Sequence, residues 1–73
     1  MNVDKVKTGR LIAERRKSLN MTQNELAEKL NISAKAVSKW ERAKNFPNID
    51  MLQDLAKILE IQVADLLTGE SAK

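Results

Sequence analysis

At 73 residues the chain is long enough for one domain and short for a large hydrophobic core. It contains neither cysteine nor histidine, which excludes a disulfide scaffold, the common zinc sites and every catalytic site built on those side chains. Glycine occurs twice and proline once, while Ala, Leu, Lys and Glu are abundant, so the composition predicts a small all-α fold.

The net charge of +3 is unevenly distributed along the chain. Residues 1–48 carry eleven Lys or Arg and five acidic residues, a surplus of +6, whereas residues 49–73 carry two basic and five acidic residues, or −3. This asymmetry is typical of a protein that meets a polyanion on one side, although an ordinary charged surface explains the counts equally well. The longest apolar run, Leu11–Ala13, is too short for a signal peptide or a membrane span, so we expect a cytoplasmic protein without a membrane partner.

Apolar periodicity and capping residues predict five helices. The first extends from Lys5 or Thr8 to Leu19 and ends at Asn20, since asparagine tolerates the left-handed backbone with which many helices end. The second helix begins at Thr22, because the segment Thr22–Glu25 has the pattern of a capping box. Its apolar stripe consists of Leu26, Ala27 and Leu30.

A two-residue link, Asn31 and Ile32, separates the second helix from a third that is capped by Ser33 and reaches about Arg42. So tight a link requires the two helices to cross at a steep angle. We expect a positive φ at Asn31 and a corner filled by Ile32. The inward positions of the crossing are Ala27, Val37 and Trp40.

The opposite face of the third helix is narrow and basic. It consists of Lys35, Ser38, Lys39 and Arg42, with Ala34 at its leading end. Such a face suits the major groove of duplex DNA, because small side chains allow close approach and lysines reach guanine or phosphate oxygens. An ordinary solvated face is the alternative for these residues alone, and the preceding turn favours groove binding.

The segment 43–48 has the composition of a loop, and two further helices follow it. The inner face of the fourth helix consists of Ile49, Leu52, Leu55, Ala56 and Leu59. The fifth helix, Gln62 to Thr68, carries Val63, Leu66 and Leu67 and is closed by Gly69. Asp50 and Asp54 favour the start of the fourth helix, and we expect neither a metal site there nor a cofactor elsewhere. Short connections indicate one domain, residues 1–69, followed by a frayed tail at residues 70–73.

These features together resemble the phage-repressor type of helix-turn-helix domain, also called the xenobiotic-response-element type. The resemblance covers residues 9–67 and rests on the run MTQNELAEKLNISAKAVSKWERAKNFP, followed by LQDLAKILEI and VADLL. It implies a compact, lambda-repressor-like bundle of five helices, with the helix-turn-helix at helices two and three, that binds DNA and regulates transcription. This chain has Asn31, Ala43 and Asn45 where glycine is common in the family.

The resemblance also implies roles for individual residues. The residues expected to face base edges are Ala34, Lys35, Ser38 and Lys39. The residues expected to contact backbone phosphates are Thr22, Gln23, Arg42, Lys44 and Asn45. Gln23 is also expected to brace the third helix, which is the recognition helix of the family. Arg16 and Glu41 match the family's paired arginine and glutamate, and we expect a partly buried salt bridge between them.

We therefore predict a sequence-specific binder of double-stranded DNA, a repressor, that acts as a homodimer on a two-part operator. Two recognition helices about 34–36 Å apart meet successive turns of DNA and multiply the affinity of one copy. The predicted dimer surface consists of Leu59, Ile61, Val63 and Leu66, which alternatively close the core. The competing hypothesis is a helical protein-interaction module, such as an antitoxin or anti-regulator component. No nucleophile–base pair or small-molecule site is visible, so we expect no enzyme, and the chain could be the amino-terminal piece of a longer regulator.

Overall fold

The computed structural model describes residues 4–70, and in this range it contains five α-helices and no strand. They are α1 (Lys5–Ser18), α2 (Gln23–Leu30), α3 (Ala34–Glu41), α4 (Ile49–Leu59) and α5 (Val63–Thr68). The predicted all-α fold of five helices is confirmed. The molecule measures 30 × 24 × 20 Å, and every helix contributes buried side chains to one shared core.

Polar side chains fix the residues at which the first three helices begin. The carboxylate of Asp4 accepts hydrogen bonds from two amides in the first turn of α1. Thr22 and Glu25 form the predicted capping box at α2, and Ser33 Oγ accepts an amide hydrogen bond of 3.2 Å at the start of α3. Each of these oxygens replaces an acceptor that the first turn of a helix lacks, which sets the positions of α2 and α3 in the chain.

Left-handed residues end the helices or follow them directly. They are Asn20 (φ 60°), Asn31 (61°), Ala43 (62°) and Glu60 (61°), together with Gly69 (76°). A residue with a Cβ atom pays roughly 1–2 kcal/mol for this conformation, and asparagine tolerates it best. The residue type predicts a left-handed backbone at Asn20 and Asn31, as observed. The residue types at Ala43 and Glu60 do not predict this conformation.

The core lies where α1, α2 and α3 meet α4 and α5. Its completely buried apolar members are Ile12, Leu26, Val37, Leu55, Leu59 and Leu66. The three predicted inward positions of the helix crossing, Ala27, Val37 and Trp40, are all buried. Ile32, in the turn between α2 and α3, is half-buried and packs against this core as predicted.

Helices α1 and α3 touch through their backbones at Gly9. A Cβ atom at this position would overlap the carbonyl oxygen of Trp40 and lie 3.1 Å from that of Glu41. The lack of a side chain at Gly9 thus lets α3 lie directly on α1. The buried Thr8 hydroxyl donates to the Leu66 carbonyl at 2.7 Å and ties α1 to α5 as well.

The structure corrects the predicted dimer surface at two of its four positions. Leu59 and Leu66 are 0% exposed and belong to the core, so neither side chain is available to a second copy. The physical reason is that α5 is short, and its apolar side chains are needed to cover α4 and α1. Ile61 and Val63 are half-buried and keep an accessible side.

Of the predicted tail, only Glu70 lies within the described residues. Its carboxylate is 3.1 Å from Lys7 Nζ, and both side chains are exposed. Residues 71–73 of that prediction lie outside the described range. Among residues 4–70, no helix combines the length and the apolar character that crossing a bilayer requires.

Candidate nucleic-acid interface

The outward face of α3 is accessible and basic along its length. Lys35 and Arg42 are exposed, and Ser38 and Lys39 are half-buried. Arg42 Nε donates to Ser38 Oγ at 3.2 Å, which joins these two side chains along the face. Ala34, predicted at the leading end, is half-buried and packs partly against the core. The predicted stripe is therefore one surface, and its smallest member also packs against the core.

The loop after α3 folds back onto the C-terminal end of that helix. The amides of Lys44 and Asn45 both donate to the carbonyl oxygen of Lys39, at 2.8 and 3.4 Å. The side chains of Lys44 and Asn45 are exposed. Two predicted phosphate contacts are thus held beside the outward face of α3 by bonds that leave their side chains free.

The start of α2 combines backbone amides with a fixed capping box. Thr22 Oγ1 accepts from the amide of Glu25 at 3.0 Å, and Glu25 Oε1 accepts from the amide of Thr22 at 2.8 Å. The amides of Gln23 and Asn24 lie in the first turn, where a helix supplies no acceptor of its own. Aligned peptide dipoles add positive potential at this end, so the site favours an anion.

A buried ion pair joins α1 to the end of α3. Arg16 Nε donates to Glu41 Oε2 at 2.6 Å and Arg16 Nη2 to Glu41 Oε1 at 3.1 Å, with the two side chains only 10% and 8% exposed. The hydrogen bonds to Glu41 raise the pKa of Arg16 above its ordinary value, with a further contribution from the opposite charge, although burial acts against them. Arg16 Nη1 also donates to the carbonyl of Met21 at 2.8 Å. The structure thus contains the predicted salt bridge and extends it to the link before α2.

A hydrogen bond from Gln23 connects α2 to the same carboxylate. Gln23 Nε2 donates to Glu41 Oε1 at 3.0 Å. The resemblance implies a bracing role for Gln23 without indicating its partner, and the structure supplies that partner. No local sequence pattern relates Gln23 to Glu41, because the two residues lie on different helices, 18 positions apart.

Two parts of the interface, the outward face of α3 and the loop after it, carry a concentrated positive charge. Between residues 34 and 48 the chain has four basic side chains, namely Lys35, Lys39, Arg42 and Lys44. The one acidic residue in that stretch is Glu41, whose charge is matched by Arg16. Among residues 4–70, no group of three or more acidic side chains is arranged to hold a metal ion. The chemistry available to this surface is the binding of a polyanion and the donation of hydrogen bonds.

Comparison with known proteins identifies relatives along most of the chain. A protein-family model described as "Helix-turn-helix" matches residues 12–66. The HTH-type transcriptional activator BcrR of Enterococcus faecalis is 43% identical over 51 residues, which are 70% of this chain and 25% of BcrR. The HTH-type transcriptional regulator DicA of Escherichia coli (strain K12) is 37% identical over 73 residues, covering 100% of this chain and 54% of DicA. The chain thus spans about half of DicA and a quarter of BcrR.

A solved structure agrees with the fold. The crystal structure of the P22 c2 repressor protein in complex with a synthetic operator superposes with a TM-score of 0.82 at 36% identity. The superposition covers 86% of this chain and 96% of that one. The family match at residues 12–66 includes α2 and α3, and the similar structure is that of a repressor bound to a synthetic operator.

Proposed function

Because the chain belongs to the helix-turn-helix family of the phage-repressor type, we propose that it binds a specific sequence of double-stranded DNA and represses transcription. The observation that carries this proposal is the outward face of α3, with four basic side chains on the helix and the following loop and one acidic residue already paired. Occupation of an operator that overlaps a promoter blocks the polymerase. The DNA of the cell is the ligand, so we expect the protein to act in the cytoplasm and to catalyse no reaction.

In the proposed complex α3 lies in the major groove and reads base edges. Lys35 and Lys39 are long enough to donate to guanine O6 and N7, and the Ser38 hydroxyl can donate to or accept from either base. Ala34 offers a methyl group, whose most specific partner is the methyl of thymine. Because Ala34 has a short side chain that packs partly against the core, its contact requires the start of α3 to enter the groove deeply.

Phosphate contacts on both sides of the groove would hold α3 in place. The start of α2, at Thr22 and Gln23, faces one strand with its free amides and its positive dipole. Lys44, Asn45 and Arg42 contact the other strand from the end of α3. Such contacts fix the orientation of the protein without selecting a sequence.

A second copy on the neighbouring half-site completes the proposed assembly. Recognition helices of such dimers lie about 34–36 Å apart, one turn of DNA, and a molecule of 30 × 24 × 20 Å can reach that spacing side by side with its copy. The predicted place of Ile49 on the inner face of α4 is wrong, because at the first position of that helix its side chain is 84% exposed. Besides Ile61 and Val63, Ile49 is therefore available to this contact. Ile49 and Val63 line the same surface cleft, which is a suitable apolar seat for a side chain of the second copy.

Selection of duplex oligonucleotides from a random pool tests this function. We expect one enriched two-part sequence, bound by two copies, with log affinity falling linearly as log salt rises, because each neutralised phosphate releases counterions. Lys44→Ala should reduce that slope by about 0.9 for each bound copy, or about 1.8 for the complex with two copies, and weaken all duplexes alike. Lys57→Ala, an exposed lysine on α4, is the matched control and should leave the slope unchanged. Absence of an enriched sequence, or an affinity for DNA that does not depend on salt concentration, would favour the protein-interaction module instead.

A further inference from the structure

The carboxylate of Glu41 serves two donors of different kinds. Two of its three hydrogen bonds come from Arg16 and make the buried ion pair. The third comes from Gln23 Nε2, at the beginning of α2. Because the two hydrogen bonds from Arg16 fix the orientation of the Glu41 carboxylate, its Oε1 atom is a fixed acceptor for the glutamine amide.

The amide of Gln23 has hydrogen-bonding capacity left after this contact. A glutamine amide carries two N–H donors and one carbonyl oxygen. One donor is used by Glu41, and within residues 4–70 the structure gives the side chain no other hydrogen-bond partner. Gln23 is half-buried and is the first residue of α2, beside backbone amides that favour an anion. The second N–H is thus available at the place where the proposed function requires a phosphate.

We infer that the Arg16–Glu41 ion pair positions Gln23 for DNA binding, in addition to joining α1 and α3. The inference rests on the proposed function, and it makes Arg16 and Glu41 positioning residues that do not contact DNA themselves. The terminal torsion of a glutamine has broad and roughly two-fold preferences, so a free amide would sample many orientations. Fixing it before DNA arrives removes an ordering cost from binding, worth about 3- to 10-fold in affinity.

The rival explanation is that the ion pair only stabilises the fold, and a paired substitution separates the two. Replacing a buried ion pair by apolar side chains of similar volume often leaves stability unchanged or raises it. The double variant Arg16→Met with Glu41→Leu therefore removes the acceptor for Gln23 while keeping the contact between α1 and α3 filled. A purely structural pair predicts unchanged DNA affinity for a variant that remains folded.

The decisive experiment is a cycle of four proteins titrated with the selected duplex. They are the wild type, Gln23→Ala, the Arg16→Met/Glu41→Leu variant and the triple variant. We expect Gln23→Ala to weaken binding by about 3- to 10-fold in the wild type and by less than about 2-fold in the apolar background. Folding of each protein is checked by the emission of Trp40, the one tryptophan of the chain. An equal effect of Gln23→Ala in both folded backgrounds would overturn the inference and leave the proposed function standing.

A measurement on the unaltered protein covers the case in which the apolar variant does not fold. Side-chain ¹⁵N relaxation of Gln23 should show an amide about as rigid as the backbone before any DNA is added, with Gln53, an exposed glutamine on α4, as the mobile control. Addition of the duplex should shift the Gln23 amide resonances. Mobility of Gln23 equal to that of Gln53 in the free protein would overturn the inference. Failure of the wild type to bind any duplex would overturn the proposed function and this inference together.

Discussion

On its inward side α3 places Val37 and Trp40 in the core and pairs Glu41 with Arg16, whereas on its outward side it leaves Lys35 and Lys39 without a partner of opposite charge among the described residues. The inward side depends on close packing and on the exclusion of water, where any loss of volume or of a partner changes the free energy of unfolding. The outward side depends on charge that the fold does not use. Substitutions on the two sides should therefore separate into those that change stability and those that change DNA affinity.

Glu41→Ala should give the largest loss of stability. It leaves the buried Arg16 guanidinium without its partner, and removing one member of a buried pair costs about 3–5 kcal/mol of unfolding free energy. The quantity is measured by urea unfolding followed through Trp40 fluorescence. Glu28→Ala on the exposed side of α2 is the control and should stay within about 0.5 kcal/mol of the wild type. A loss below about 1 kcal/mol would mean that the pair behaves as an exposed one.

Gly9→Ala tests the backbone contact beneath α3. At an ordinary helix position this substitution stabilises by roughly 0.8–1.0 kcal/mol, because alanine has the higher helix propensity. At Gly9 the added methyl would overlap the Trp40 carbonyl, so we expect a loss of about 1–3 kcal/mol instead. Thermal and urea unfolding give the sign directly. A gain in stability would show that α1 and α3 separate at little cost.

Lys39→Ala tests the outward side in the same way. It should weaken binding to the selected duplex by about 1–3 kcal/mol and relax the choice of base at one position. The free energy of unfolding should change by less than about 0.5 kcal/mol, because the carbonyl that holds the loop belongs to the backbone and remains. Competition with single-base variants of the duplex measures both effects. If neither Lys39→Ala nor Lys44→Ala alters binding, α3 is not the DNA-reading element.

The sequence predicts the parts of this arrangement that depend on neighbours in the chain. The capping box at Thr22 and the left-handed Asn31 follow from patterns of a few residues, and both are present. The close approach at Gly9 and the bond between Gln23 and Glu41 could not be predicted, because they depend on how distant segments pack. Gly9 did carry one indication, since glycine within an otherwise regular helix is costly unless another backbone lies against it.

The outward position of the basic residues on α3 could also be predicted from the sequence, for a different reason. The spacing of Lys35 and Lys39 places them away from Val37 on any helix, so their position on the outward face follows from periodicity alone. The base that each contacts depends on the DNA as well as on the protein. The prediction that Leu59 and Leu66 belong to the dimer surface is wrong, because periodicity identifies an apolar stripe but does not distinguish a core stripe from an interface.

Ala43→Gly should give the smallest change in stability. It alters the first loop residue after the C-terminal cap of α3. Ala43 follows α3 with φ at 62°, which is strained for alanine and unstrained for glycine. The relief of about 1 kcal/mol is partly offset by the greater entropy of glycine in the unfolded chain, so the net gain in stability should be about 0.5 kcal/mol. Asn31→Gly is the matched control and should gain less, since asparagine already tolerates the conformation. DNA affinity should be unchanged, because the bonds from the Lys44 and Asn45 amides to Lys39 do not involve the Ala43 side chain. A net loss of stability would show that the half-buried methyl group of Ala43 contributes more through packing than its backbone costs through strain.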